Sequence, residues 1–369
     1  PYINSQLRTN STSQNSPGTE MSISSQPPPT TTSTVEEGGA TTFSAVHPDI
    51  LQAHILTRLD GPTLASASCA SSQLHALSAQ DHLWTDICHS TWPSTNTPRL
   101  RQVISTFPDG ARSFFAHAFP LLSDSTTNSP SNLDRPSTSP PPEIISAVDI
   151  YYQNKLIFTK VQEAETVTGW FRCSPFRIDL LDPKDVVPTR FQHPDGDDTC
   201  TDLAEEMTLS WIVIDPIGRR AMNLSSYKPV SVQRHWLSGE VQVRFASILA
   251  GDHKGSASEF VQCGIVVTCG GSEGGEMQVR EVCLQVEDMD GMHLTGKDSL
   301  VILQRALEGK RGRVGGRREE EGRRRYQEYM EIKRERRERK LRTEETLDIL
   351  CVAFGVFTFA AFSFFVLGR

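Results

Sequence analysis

The sequence predicts an α+β chain of several domains. An N-terminal unit of three short helices leads to a C-terminal antiparallel β-sandwich or jelly-roll-like domain, followed by a charged helix and a single C-terminal transmembrane helix. Three observations carry that reading. Apolar side chains recur at helical spacing through residues 47–88. Period-two alternation replaces it through residues 143–295. Residues 349–367 then run for nineteen positions without a charge.

Residues 1–43 are rich in Ser, Thr, Pro and Gln with almost no apolar content, a composition that predicts a disordered leader. Met21 is the first methionine, and translation is expected to start there. The leader has no apolar core of the kind a secretory signal needs.

The helical unit spans 44–92. Leu51, Ile55, Leu56 and Leu59 fall on one arc roughly 140° wide, which makes one apolar helix face. Pro48 suits the first turn, where a missing N–H costs nothing. Asp60-Gly61-Pro62 stops that helix, Leu64, Leu74 and Leu77 continue the apolar set, and Ser78 is expected to cap a last helix carrying Leu83, Trp84 and Ile87. About forty residues bury too little surface to stand alone, so the unit is expected to complete its core against a partner.

Residues 93–122 hold a helical turn near 99–104 and an aromatic-rich stretch at 113–120, read as a packing segment. Residues 123–142 read as a flexible, partly polyproline linker. The β-rich domain follows at 143–308. Strands are expected at 144–151, 155–161, 169–173, 176–181, 208–215, 220–224, 230–235, 240–249, 259–269 and 276–287, with a helix at 298–309 closing the domain. Val279 is out of phase with Val282, Leu284 and Val286, which predicts a bulge near Arg280.

Residues 309–346 form a charged arm. The stretch 305–342 holds sixteen Lys/Arg and eight Asp/Glu, which leaves −16 for the rest of a chain whose net charge is −8. Oppositely charged neighbours predict a solvated helix held by i,i+4 pairs, with a thin stripe of Tyr326, Tyr329, Met330 and Lys333. Within the C-terminal segment 347–369, residues 349–367 are apolar on every side across roughly 28 Å of helix, the thickness of a bilayer's hydrocarbon. A tail anchor is expected, with the bulk of the chain in the cytoplasm; without it the chain would be cytoplasmic or nuclear. The cations of 333–342 can reach anionic headgroups.

Little in the sequence points to bond chemistry. The eight cysteines show no CxxC and no Cys/His metal spacing, so they read as reduced thiols, and no metal or cofactor is expected. The glycine-rich run 270–275 precedes a strand rather than a helix and so reads as a hairpin loop, not a phosphate cradle. No GxSxG nucleophile motif is present, and no catalytic residue is assigned. Two readings compete for 231–245: a hairpin whose Trp236 plugs the core, or a ligand surface of Arg234, Trp236 and Arg244 suited to a carboxylate, phosphate or sugar.

The ordered set Pro48, Ile55-Leu56, Leu59, Leu64, Cys69 and Trp84 resembles the F-box, with His47 standing where Leu is usual and Leu74 where a Trp often follows. The segments ISAVDIYYQNKLIFTKVQEAETVTGWFRCSPFRIDLLD, LSWIVIDP, NLSSYKPVSVQRHWLSGEVQVRFASI and VQCGIVVTCGGSEGGEMQVREVCLQVEDMDG are similar to one group of plant F-box proteins. The β domain is distantly similar to phloem-lectin domains. The resemblance implies a non-catalytic receptor subunit. Pro48, Leu51, Ile55, Leu56, Leu59, Leu64 and Trp84 would dock a Skp-type adaptor and through it a cullin–RING scaffold. The β domain would hold a target protein for ubiquitination. No nucleic-acid partner is expected. The alternative is a membrane-tethered carbohydrate- or ligand-binding module with a degenerate F-box.

Overall fold

The computed structural model describes residues 46–122, 140–192, 199–251, 255–271, 275–312 and 318–368. The expected leader, most of the expected linker, and parts of the 270–275 loop and of the arm's start lie outside the described residues.

The first helical stretch is irregular. An α-turn at Pro48–Ile50 passes into a π-helical segment at Leu51–Ile55 and a 3-10 turn at Leu56–Arg58. In the π segment the Leu56 N–H bonds back five residues to the Leu51 carbonyl. That wider turn puts Leu51 and Leu56 on the inner side and turns Ile50 and Ile55 outward. The expected single apolar arc is therefore split between core and solvent.

Helix α1 (Gly61–Ser68) starts on an Asp60 cap, whose Oδ1 accepts the Thr63 N–H at 3.0 Å. Gly61 is required because the Phe115 ring occupies the space where a Cβ would go. Ser71 caps α2 (Ser72–Ser78), and α3 (Asp81–Thr91) follows without a side-chain cap. Ser78 ends α2 rather than starting α3: its hydroxyl donates to the His75 carbonyl, and its own carbonyl accepts the Trp84 indole N–H at 2.7 Å. Helices α4 (Pro98–Ser105) and α5 (Gly110–Ala118) complete the unit.

The β domain holds two antiparallel sheets. Its elements are β1 (Glu143–Tyr152), β2 (Lys155–Glu165), α6 (Gly169–Cys173), β3 (Arg177–Asp179), β4 (Val187–Gln192), α7 (Thr199–Glu206), β5 (Met207–Asp215), β6 (Arg220–Asn223), β7 (Ser231–Arg234), β8 (Val241–Ala250), β9 (Phe260–Gly270) and β10 (Glu276–Glu287). One sheet runs β2-β1-β5-β6; the other runs β3-β10-β9-β8-β7, with β4 also on β10. Facing side chains of both sheets, among them Val148, Trp211, Phe245 and Ile265, share one core. The register of β9 against β10 shifts between Val279 and Glu281, which is a bulge at Arg280. Helix α8 (Gly296–Glu308) packs its buried Leu300, Leu303 and Leu307 on the same core.

Two strand expectations are corrected. The 169–173 segment is the short helix α6, started by a Thr168 cap; Phe171 turns inward against Phe176 while Trp170 stays exposed. The unforeseen β4 carries Pro188, which is tolerated because, among the described residues, the strand pairs with β10 alone. Helix α7 was also unforeseen, since its TCTDLAEE sequence buries only Thr199 and Leu203.

The four-stranded sheet is buried on both sides. One face of β1 and β5 (Val148, Ile150, Leu209, Trp211) lines the sandwich core. The opposite face (Ile145, Ala147, Ile212, Ile214) packs with Trp84, Trp92, Phe114 and Phe115 of the helical unit. On the far side of the sandwich lies α9, one continuous helix of 50 residues, Arg318–Leu367. Its first part docks on the outer face of the six-stranded sheet, where Tyr329 is buried with Ile248 and Met289.

Candidate functional site

The helical unit presents a small apolar edge. Ile50 and Ile55 are exposed, 51% and 38%, beside an exposed Pro48 and a half-buried Leu59. Leu51, Leu56, Leu64 and Trp84, the other expected docking residues, are buried within the chain. The Trp84 ring lies 5.5 Å from Phe115, which in turn stacks on Phe119 at 4.8 Å and meets Trp92 at 5.3 Å. These side chains hold the first helix in place, and Ile50 and Ile55 are what it offers to a neighbour. Ile50 escaped the sequence reading because regular helical spacing put Leu51 and Ile55, not Ile50 and Ile55, on one face.

Buried polar contacts fix this edge relative to the sheets. Asp149 of β1 is fully buried. It accepts the Ser94 backbone N–H at 2.9 Å, the Ser94 hydroxyl at 2.5 Å and the Thr159 hydroxyl at 2.8 Å. Burial pushes its carboxyl above the ordinary value, while the three hydrogen bonds pull the other way. Trp92 donates its indole N–H to Ser210 on β5 at 3.2 Å. Arg311 clasps three parts at once. Its guanidinium donates to the carbonyls of His117 on α5 (2.9 Å), Ala221 on β6 (2.7 Å) and Leu307 on α8 (3.1 Å). Burial, with Arg220 nearby, pulls its pKa down to about 10. Asp149 carried a sequence signal, as a lone carboxylate inside the apolar run of β1; Arg311 carried none among so many arginines.

The second expected surface does not converge. Arg234 lies opposite Val241, on the core side of β7, and reaches Thr199 at 2.8 Å. Arg244 lies opposite Ser231, on the outer face, beside Tyr326 of α9. Trp236 sits beyond the strand end in the β7–β8 turn, 88% exposed, so it does not plug the core. That turn is well held: the His235 N–H donates to the Glu240 carbonyl at 2.7 Å, and the Gly239 N–H to the His235 carbonyl at 2.9 Å. Gly239 has a φ of +71°, which the tight turn requires. The turn therefore holds Trp236 and Leu237 out into solvent.

Other chemistry is accounted for locally. Asp179, Glu281 and Cys283 come close enough to hold a cation, but Arg177 sits among them, donating to both Asp179 oxygens at 2.8 Å and to Glu281 at 2.9 Å. All eight cysteines are free thiols. Burial pushes Cys88, Cys263, Cys269 and Cys283 up to about 12, which keeps them unreactive.

No protein-family profile and no solved structure matches the chain. Curated plant proteins do. The Arabidopsis thaliana protein named Probable F-box protein At2g36090 is 51% identical over 328 residues, covering 88% of this chain and 94% of the relative. F-box protein At2g27310 of the same plant is 44% identical over 342 residues, covering 89% and 97%. F-box protein At3g44326 is 48% identical over 309 residues, covering 81% and 83%. Similarity of that depth across helices and sheets together means that this chain belongs to the plant F-box protein family.

Proposed function

We propose that the chain is the substrate-recognition subunit of a Skp–cullin–F-box ubiquitin ligase that works at a membrane surface. The observation that carries this reading is the exposed Ile50–Ile55 edge on a helix whose inner side is locked by Leu51 and Leu56. A Skp-type adaptor covers that edge. The β domain holds a target protein, and the Trp236–Leu237 turn is the first place to look for target contact, because its backbone is ordered while its side chains are not packed. Catalysis is by proximity: the target lysine gains effective concentration near a ubiquitin thioester borne by another subunit. Residues 349–367 cross a membrane. Support comes from their length, their composition and the lack of any burial of that stretch inside the chain.

The test is co-purification of the full chain with a Skp-type adaptor, in detergent. Capture supports the reading; no capture contradicts it. The carbohydrate-module alternative rests on Trp236 alone, now that Arg234 and Arg244 lie on opposite faces of the sheet. Saccharide binding on a glycan array, lost with Trp236→Ala, would favour it.

A further inference from the structure

We infer that the 288–293 loop is the bilayer-facing end of the β domain, held at a fixed height because the docked arm and the apolar segment are one helix. This rests on the reading of 349–367 as membrane-crossing.

The helix crosses the outer face of the six-stranded sheet toward one end of β8. Gly322 lies against Ser226, at the sheet edge where the Ala246 N–H donates to the Ser226 hydroxyl at 3.3 Å. Tyr326 comes next, near Arg244 in the middle of β8. Tyr329 is buried against Ile248, and its hydroxyl donates to the Asp288 carbonyl at 3.2 Å. Arg336 pairs with Asp290 at 3.3 Å and donates to the Gly255 carbonyl at 3.3 Å. Lys340 approaches Asp290 at 4.0 Å. The helix therefore crosses the outer face obliquely, from the sheet edge beside Ala246 toward the Ala250 end of β8, and leaves the sheet at the 288–293 loop. From Arg336 and Lys340 to residue 349 is nine to thirteen residues, or roughly 14–20 Å of helix.

Two features keep the helix upright. The stretch 343–348 is helical and contains no proline or glycine, so it offers no hinge. It also carries Glu344, Glu345 and Asp348, with Leu347 its one large apolar side chain. Such a segment has neither the apolar face nor the positive charge to lie along an anionic surface. The cations of 333–342 are thus set back from the headgroups behind three carboxylates.

The loop is built rather than loose. The Met292 and Asp290 N–H groups donate to one Asp288 carboxylate oxygen at 2.8 and 2.9 Å, and the Gly291 N–H to the Asp288 carbonyl at 3.1 Å. Met292 is left 67% exposed. The β7–β8 turn lies at the opposite end of β8, about 30 Å away along the strand. The bilayer-facing end and the exposed Trp236 turn are therefore opposite ends of one rigid sheet.

The experiment uses the full chain in phosphatidylcholine vesicles containing a headgroup-linked energy-transfer acceptor. A fluorescent unnatural amino acid replaces Met292 in one sample and Ser238 in another. Transfer is expected to be about twofold more efficient from position 292, given the strand length between the two sites. Inserting a flexible Gly-Ser segment between Arg342 and Thr343 should erase most of that difference. Equal transfer from both positions in the uninterrupted chain, or stronger transfer from 238, would overturn the inference. A chain that does not float with the vesicles would instead overturn the membrane-crossing reading beneath it.

Discussion

The N-terminal helices and the C-terminal helix are both rich in apolar side chains, yet they dispose of them in opposite ways. Leu56, Leu64, Trp84 and Trp92 are buried, because α5 and the outer face of the four-stranded sheet complete their core. Residues 349–367 are exposed almost throughout, Phe354, Phe357 and Phe364 among them. The difference teaches that apolar pattern alone does not say what an element will touch. What decides is whether the same chain supplies a complementary surface. The helical unit finds one on its own sheet; among the described residues the tail finds none, and in the proposed reading its surroundings are lipid.

The largest effect expected from testing this contrast is at Trp92, which joins the helical unit to β5. Trp92→Ala should destabilise the chain by about 3–5 kcal/mol, read as a lowered denaturant midpoint, because a large cavity opens where two layers meet. A loss under about 1 kcal/mol would mean that the helices and sheets do not share a core.

A smaller effect is expected at Asp149. Asp149→Asn removes an acceptor from Ser94 or Thr159 and should cost about 1–3 kcal/mol at neutral pH. The pH dependence carries a definite sign. The folded carboxyl lies above its ordinary 3.8, so the protonated form is favoured by folding. Its contribution to stability is fully present below 3.8 and is lost as pH rises through the folded value. The Asn variant should lack that slope in a urea titration across acidic pH.

The smallest effect is expected at Trp236. Trp236→Ala should change stability by less than about 0.5 kcal/mol, since the residue is 88% exposed and its ring stacks on the exposed His235. A clear drop in melting temperature would place the turn in the core after all.

Much of the fold was legible in the sequence, and the exceptions have physical causes. Val241, Val243 and Phe245 alternate cleanly because β8 has one core face, and the phase break at Arg280 is a real bulge. The run Ile144–Ile150 alternates poorly because β1 is buried on both sides, and that lack of alternation was the unread sign that a second layer covers the sheet. The 169–173 segment misled because Trp and Phe favour strands, whereas the Thr168 cap and an exposed Trp170 make it a turn of helix. The candidate site was half legible. Residue types marked the first helix, but the π turn that sends Ile55 outward and Leu56 inward follows from tertiary packing, not from spacing.

The measurement that tests the central claim most directly is calorimetric titration of a Skp-type adaptor into the full chain carrying Ile55→Asp, beside Leu56→Asp and wild type, with circular dichroism of each. Ile55→Asp should melt like wild type yet lose adaptor binding, while Leu56→Asp should lose its fold because a charge is buried without a partner. Undiminished binding by Ile55→Asp, or a folded Leu56→Asp that alone fails to bind, would contradict it.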